Sequence, residues 1–320
     1  MEEKLKEKKD EKIASSAGEQ VAPDVSSKDI IDAFLGAYGK KATPEDKKRF
    51  GDLFPKRLKQ EVAKHDCAKK YNILIIFDNT IIVKSDSDKI LSAISKLERN
   101  KPLLLILVSN GGEPGPAYLI GKLCQESSNG KFIIVVPRHA KSAATLLSTA
   151  ADEIHMGSLS ELGPIDPQIN GMPTLGLKNS IEDIAELVNK MPGAAEMFAR
   201  YLSRTIEPIQ IGYYERAAKS AKQYAERLLE NHASQLSNKP TNIAHILVYE
   251  YKDHGFVIDK SEAEKIFGNN TIKNNSEEYQ LGNTIYNELS TLERLAKNLE
   301  YSFYLIGCLD SEPTLFKRAK

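Results

Sequence analysis

The sequence has few cysteines, no excess of either charge and no long apolar run, and each shortage excludes a class of protein. Its three cysteines, Cys67, Cys124 and Cys308, are scattered and lack metal-ligand spacing, which predicts a cytoplasmic protein without a zinc site. The six histidines form no HxxxH or HExxH pattern, so we predict neither a metal nor a cofactor. Lys and Arg total 44, as do Asp and Glu, which disfavours a nucleic-acid-binding protein. No window approaches the roughly eighteen apolar residues of a membrane-spanning helix.

Composition and apolar spacing divide the 320 residues into four predicted segments. Residues 1–28 contain Glu/Lys repeats followed by small and polar residues, which predicts a disordered charged tail. No apolar core follows the basic residues, so this tail is not a signal peptide. Residues 29–68 show helical spacing, residues 69–270 are predicted to form a central domain, and residues 271–320 are predicted as a helical C-terminal extension.

Short apolar runs alternate with helical patterns through the middle of the chain. The runs begin near residues 71, 103, 132 and 154, and helices are expected near 87, 115 and 142. This repeat predicts an α/β fold with a mainly parallel sheet and right-handed crossovers. Ligands of such sheets bind at the carboxyl ends of the strands.

A serine lies where the run Phe132–Val136 gives way to a helix of small and apolar residues. Ser142 begins the sequence Ser-Ala-Ala-Thr after a short polar turn. The N–H groups of a helix's first turn favour developing negative charge, so this junction suits a nucleophile. An alternative is that Ser142 only caps the helix by accepting a backbone hydrogen bond.

A glycine pair follows the preceding strand directly. Gly111 and Gly112 come after the run Leu103–Val108, and glycines at that place allow positive φ and expose N–H groups to a ligand. Two such groups form an oxyanion hole for an acyl-transfer intermediate. Because Gly111, Gly112 and Ser142 all follow strands of one parallel sheet, they are expected to converge at its carboxyl edge.

These motifs together resemble a known family. The chain contains SNGG at residues 109–112, AKSAAT at 140–145, ADEI at 151–154, LGPIDPQ at 162–168 and YKDHGFVI at 251–258. The first two resemble the Clp/crotonase superfamily, and the set is most similar to the serine dehydrogenase proteinase family, which is related to signal peptide peptidase A. The resemblance covers roughly residues 70–268.

The resemblance implies a Clp/crotonase-like fold and a serine peptidase that acts on peptide or protein substrates. Carried over by position, its catalytic triad is Ser142, Asp166 and His254. Proteins of this superfamily generally form trimers or larger rings, so a homo-oligomer is expected. Without the resemblance, the sequence favours a structural role for each residue, with Asp166 as a turn carboxylate and His254 as a cation at the end of a helix over 242–252.

A lysine is the rival base, because signal peptide peptidase A enzymes use a Ser–Lys pair. Lys178 follows Ser142 at a plausible separation in sequence. A loop is predicted over residues 170–177, and Lys178 is placed in its poorly constrained end. Lys141 is adjacent to the serine and is expected to point away from its side chain. The triad with His254 is the first interpretation, and Lys178 and Lys141 are the alternatives.

The function predicted from these residues is a serine hydrolase that forms an acyl-enzyme at Ser142. A crotonase-type enzyme acting on acyl-CoA, or a non-catalytic scaffold of the same fold, is the alternative. The rest of the chain is predicted to be mostly helical. Helices are expected from Ser180 behind a capping box, from Pro208, from Lys260 to Phe267 and from Glu277 to about Tyr304.

Overall fold

The predicted strands form the centre of a large sheet in the computed structural model, which describes residues 24–169, 172–205 and 208–318. Buried apolar runs make its parallel strands, as expected for a sheet covered on both faces. These strands are β1 (Asn72–Asp78), β2 (Leu103–Ser109), β3 (Phe132–Val136) and β5 (Glu153–Met156). The α/β class and the mainly parallel sheet are therefore confirmed.

Short strands extend the sheet beside the carboxyl ends of β2 and β3. They are β4 (His139–Ala140), β6 (Glu161–Leu162) and β9 (Ile258–Asp259). Ala140 pairs with Ser109 at the end of β2, Leu162 pairs with Ala140, and Ile258 pairs with Leu162. A separate hairpin joins β7 (Gln168–Ile169) to β8 (Met172–Pro173).

The C-terminal region differs from the helical extension predicted for residues 271–320. Strand β10 (Ile272–Asn274) pairs in parallel with β5, and β11 (Tyr301–Cys308) pairs antiparallel with β1. Strand β12 (Thr314–Lys317) then pairs with β11, so the sheet runs in the order β10-β5-β3-β2-β1-β11-β12. The predicted helix to Tyr304 ends at Asn298, because Glu300 adopts a positive φ of 65° and turns the chain into β11.

Helices cover both faces of the sheet. In chain order they are α1 (Ser27–Tyr38), α2 (Pro44–Ala63), α3 (Lys84–Ile94), α4 (Pro114–Ser127), α5 (Ala143–Ser148), α6 (Thr174–Lys190), α7 (Ala195–Thr205), α8 (Pro208–Leu229), α9 (Pro240–His245), α10 (Lys260–Phe267) and α11 (Glu277–Asn298). Helices α1, α2 and α11 pack on one face, and α4, α5, α8 and α9 pack on the other. Successive strand residues point to opposite faces, so the continuous apolar strands supply both cores.

Several predicted boundaries move. Most of the predicted tail, residues 1–23, lies outside the described residues, and α1 starts at Ser27 behind a capping box of Ser26 and Asp29. Helix α6 starts at Thr174 rather than Ser180, and the Ser180 hydroxyl donates to Gly176 O at 2.8 Å instead of capping. No helix within the described ranges combines the length and apolar character needed to cross a bilayer.

Glu153 of β5 forms a partly buried ionic cluster with His155 and Lys131, and this cluster predicts a pH-dependent stability. His155 Nε2 lies 3.3 Å from Glu153 Oε2 and Lys131 Nζ lies 2.5 Å from Glu153 Oε1. These partners lower the pKa of Glu153 from 4.5 to about 2, with the His155 hydrogen bond the largest cause. A depressed carboxyl pKa stabilises the fold above pH 4.5, and that stability is lost as the pH falls towards 2.

We therefore expect Glu153→Gln to lower the free energy of unfolding at pH 7 by about 1–2 kcal/mol. The variant is also expected to lose less stability than the wild type between pH 4.5 and 2. Urea unfolding across this range measures both effects. Glu98→Gln is the control, because Glu98 pairs with Lys101 through a side chain that is 68% exposed. Equal pH dependence of wild type and Glu153→Gln would contradict the assignment.

Candidate active site

Ser142 occupies a strained turn between β4 and α5. Its backbone has φ 51° and ψ −118°, a conformation that non-glycine residues rarely adopt. Although Ser142 holds the N-cap position of α5, its side chain makes no capping hydrogen bond. The capping alternative therefore does not describe this serine. A nucleophilic serine on a sharp strand-to-helix turn has this arrangement in α/β-hydrolases.

Buried hydrogen bonds hold this turn in place. The Lys141 N–H donates to Ser109 O at 2.9 Å, which joins the turn to the end of β2. The Thr145 hydroxyl donates to Ala140 O at 2.6 Å and accepts the Gly163 N–H at 2.9 Å. The sequence predicted no role for Thr145. The feature that could have indicated one is a hydroxyl group among the small, buried residues of α5. These hydrogen bonds thus hold Ser142 in its strained backbone conformation.

The glycine loop after β2 lies directly against the serine turn. A Cβ added to Gly111, whose φ is 100°, would lie 2.6 Å from Lys141 O and 2.8 Å from Ser142 Cβ. Gly112 has φ 149°, and a Cβ there would collide with the backbone of Ile82. Both positions therefore require glycine. The expected convergence of the two motifs is present in the structure.

The two glycine N–H groups are not equivalent. Gly111 N–H donates to Ser109 Oγ at 3.1 Å, so it is already engaged. The surrounding backbone bonds run from Ile82 N–H to Gly111 O and from Glu113 N–H to Ile82 O. Among the described residues, the N–H groups of Gly112 and Ala143 have no hydrogen-bond acceptor. The engagement of Gly111 was not foreseen, because it depends on the rotamer of Ser109.

Asp166 and His254 are hydrogen-bonded to each other. His254 Nδ1 lies 2.8 Å from Asp166 Oδ1. The Asp166 side chain is 7% exposed and that of His254 is 24% exposed. Asp166 lies between β6 and β7, and His254 lies in the loop after a π-helical turn, Ile246–Glu250, that continues α9. The fold thus joins two residues that are distant in sequence.

His254 and Ser142 line one cavity of about 310 Å³. Within the described chain, no hydrogen bond joins Ser142 Oγ to the His254 ring. The ring contacts Asp166 through Nδ1. The cavity wall combines apolar side chains with polar groups from Asn110, Ser142, Gln168 and His254. Its lining residues are Ile81, Asn110, Gly112, Pro114, Ser142, Ala143, Leu146, Ile165, Pro167, Gln168, Ala221 and His254.

Neither alternative lysine has a described approach to Ser142. Lys141 Nζ points away from the serine and donates to Leu162 O at 3.2 Å and Phe256 O at 3.3 Å. It also forms an ion pair with Glu161 Oε2 at 3.1 Å. Lys178 belongs to α6 rather than a loop, but its side chain lies outside the described part of the structure.

A second histidine lies beside the glycine loop. His139 Nε2 is 2.9 Å from Asn79 Oδ1, and Asn110 Nδ2 donates to Asn79 O at 3.1 Å. Burial lowers the pKa of His139 and so favours its neutral form. His139 therefore supports Asn110, which lines the cavity. Among the residues that the structure describes, no group of three or more His, Cys, Asp or Glu side chains is placed to hold a metal ion.

Part of the chain is similar to a known protein family. Residues 58–195 match the family described as ClpP-like SDH-type serine proteinases, which confirms the predicted resemblance over that segment. An uncharacterized protein of Methanocaldococcus jannaschii is 27% identical over 191 residues, 58% of this chain and 63% of that protein. A second from the same organism is 33% identical over 96 residues, 30% of this chain and 32% of that protein. The chain thus matches less than two thirds of either relative.

Similar solved structures include two forms of a membrane-bound stomatin-specific protease. A serine-to-alanine mutant covers 64% of this chain and 80% of its own, with a TM-score of 0.40 and 16% identity. A lysine-to-alanine mutant in complex with a substrate peptide covers 78% of this chain and 88% of its own, with a TM-score of 0.41 and 15% identity.

Proposed function

Because residues 58–195 match the ClpP-like SDH-type serine proteinases, we propose that this protein is a serine peptidase with Ser142 as its nucleophile. The observation that carries the proposal is the Asp166–His254 hydrogen bond beside the cavity that contains Ser142. It provides a base and its orienting carboxylate on the same site as an uncapped serine.

In the proposed mechanism, Ser142 Oγ attacks the scissile carbonyl carbon and its proton passes to His254 Nε2. Asp166 accepts the His254 Nδ1–H, which leaves the Nε2 lone pair free to receive that proton. The imidazolium then returns the proton to the leaving amine, and an acyl-enzyme remains on Ser142. Water hydrolyses the ester with His254 again acting as base. Ser142 and His254 line the same cavity, and catalytic hydrogen bonds of this kind often tighten only when substrate is bound.

The oxyanion hole is proposed to consist of the Gly112 and Ala143 N–H groups. Gly111 was the other predicted donor, but its N–H is bonded to Ser109 Oγ. Gly112 and Ala143 both line the cavity, and a donor directly after the nucleophile is common at such turns. Gly111 instead permits the close contact between the glycine loop and the Ser142 turn.

The proposed substrate is a peptide or protein segment. The apolar lining from Ile81, Leu146 and Ile165 suits an apolar side chain, and backbone groups of the glycine loop suit a main chain. A homo-oligomer and a cytoplasmic location remain predictions from the sequence. The mass in solution tests the first, and a strictly monomeric mass would contradict it.

Fluorophosphonate labelling of the full chain tests the proposal, with the modified residue located by peptide mass spectrometry. We expect one adduct, on Ser142. No adduct, together with binding of CoA, would favour the acyl-CoA alternative. No adduct and no CoA binding would favour the non-catalytic scaffold.

Asp166→Asn is expected to lower the labelling rate by roughly 10³- to 10⁴-fold, because the amide favours the wrong His254 tautomer. Asp152→Asn is a control outside the cavity, since Asp152 accepts the Phe132 N–H at 2.7 Å. Labelling of Asp166→Asn at the wild-type rate would remove Asp166 from the mechanism.

A further inference from the structure

Lys141 directly precedes the proposed nucleophile but contacts a different part of the site. We propose that Lys141 is a positioning residue that ties the loop carrying His254 to the turn carrying Ser142. This inference rests on the function proposed above. It gives a role to a lysine that the sequence suggested only as an alternative base.

The Lys141 ammonium group joins three segments of chain. Its Nζ donates to Leu162 O at 3.2 Å in β6 and to Phe256 O at 3.3 Å in the His254 loop. Glu161 Oε2, at 3.1 Å, balances its charge. The side chain is only 19% exposed. An ammonium group has three N–H donors, which match the three oxygen acceptors around Lys141 Nζ.

These contacts bear on both members of the Asp166–His254 pair. Leu162 lies on the chain leading to Asp166, and Phe256 lies two residues after His254. The Lys141 main chain is bonded to Ser109 O, so its side chain extends from a fixed point beside Ser142. One residue thus connects the nucleophile's turn with the segments that hold its base and carboxylate.

The His254 loop needs a long-range contact of this kind. Its Gly255 N–H donates to the Asp253 side chain and its Phe256 N–H donates to Asp253 O, so both bonds are local. Phe256 and Val257 are 44% and 51% exposed. The His254–Asp166 hydrogen bond holds the loop to the chain between β6 and β7. The Lys141–Phe256 hydrogen bond adds a direct link between the loop and the turn that carries Ser142.

Gly163 provides the space through which the lysine reaches the loop. A Cβ at Gly163 would lie 2.8 Å from Lys141 Cδ. Gly163 has no positive φ, so alanine there would act by displacing the lysine side chain rather than by straining the backbone. Gly163→Ala is therefore a second way to break the contact while the ammonium is retained.

Fluorophosphonate inactivation, with binding (KI) and bond formation (kinact) measured separately, tests the inference. We expect Lys141→Met to lower kinact by roughly 10- to 100-fold because His254 loses its alignment, with KI unchanged. Gly163→Ala is expected to lower kinact in the same way. Lys141→Arg is expected to recover most of the rate, because arginine donates to carbonyl oxygens but cannot serve as a base.

Hydrogen–deuterium exchange supplies a readout that does not require activity. Amides of residues 251–257 are expected to exchange faster in Lys141→Met and Gly163→Ala than in the wild type. Lys101→Met is the matched control, since Lys101 pairs with Glu98 at the opposite end of β2.

The outcomes separate this inference from the proposed function. A labelled wild type with an unchanged kinact and unchanged exchange in Lys141→Met would overturn the positioning role alone. Loss of labelling in both Lys141→Met and Lys141→Arg, without faster exchange, would make Lys141 the base and also overturn it. An unlabelled wild type would overturn the proposed function, and unchanged exchange in Lys141→Met would then reject the structural link independently.

Discussion

Ser142→Ala is expected to abolish fluorophosphonate labelling and to reduce peptide hydrolysis by at least about 10³-fold. The reason is that Ser142 supplies the oxygen that forms the covalent bond, and none of the other described residues that line the cavity carries a hydroxyl or thiol group. The variant is expected to fold normally, since the Ser142 side chain makes no capping hydrogen bond that alanine would lose.

The measurement compares gel fluorescence after labelling and the release of new amino groups from a denatured protein substrate. Ser95→Ala is the control, because the Ser95 hydroxyl donates to Ser92 O at 2.7 Å at the exposed end of α3. Labelling that persists in Ser142→Ala would place the nucleophile elsewhere and would reject the proposed site as a whole.

His254→Ala is expected to have an effect of similar size, about 10³-fold or more on kinact, because it removes the group that accepts the serine proton. Lys178→Ala is expected to retain most of the activity. The comparison decides between the two candidate bases, since a serine–lysine pair predicts the opposite result.

His65→Ala is the matched control for this pair. His65 is also half-buried and has one side-chain hydrogen bond, from Nε2 to Thr284 Oγ1 at 2.9 Å, but it lies outside the cavity. Full activity in His254→Ala combined with its loss in Lys178→Ala would replace the triad by a serine–lysine pair. Folding of each variant is checked by its urea midpoint.

The parallel strands could be predicted because their sequences allow few other structures. Runs such as Leu103–Val108 are too short for helices and too apolar for the surface, and they end at glycine or proline. The glycine pair and Ser142 both follow such runs, so their convergence at one edge of the sheet followed from the fold class.

The parts of the structure that could not be predicted depend on features that residue types do not encode. The sequence predicts a helix as far as Tyr304, into β11, because the apolar spacing of α11 continues to Leu299 and neither glycine nor proline lies between Asn298 and Tyr301. The turn instead occurs at Glu300, which adopts a positive φ. The engagement of Gly111 N–H by Ser109 Oγ and the reach of Lys141 to Phe256 depend on rotamers. Such contacts are set by tertiary packing rather than by local pattern.

The place of β11 in the sheet affects how the protein can be made. Strand β1 pairs with β2 on one side and with β11 on the other, and Leu74 faces Cys308 across the second pairing. During synthesis, β1 is therefore made early, and β11 is made only near the end of the described chain. During that interval β1 is an open edge strand, which invites pairing with other nascent chains. The pairing of β11 with β1 therefore closes this edge only after most of the described chain has been made.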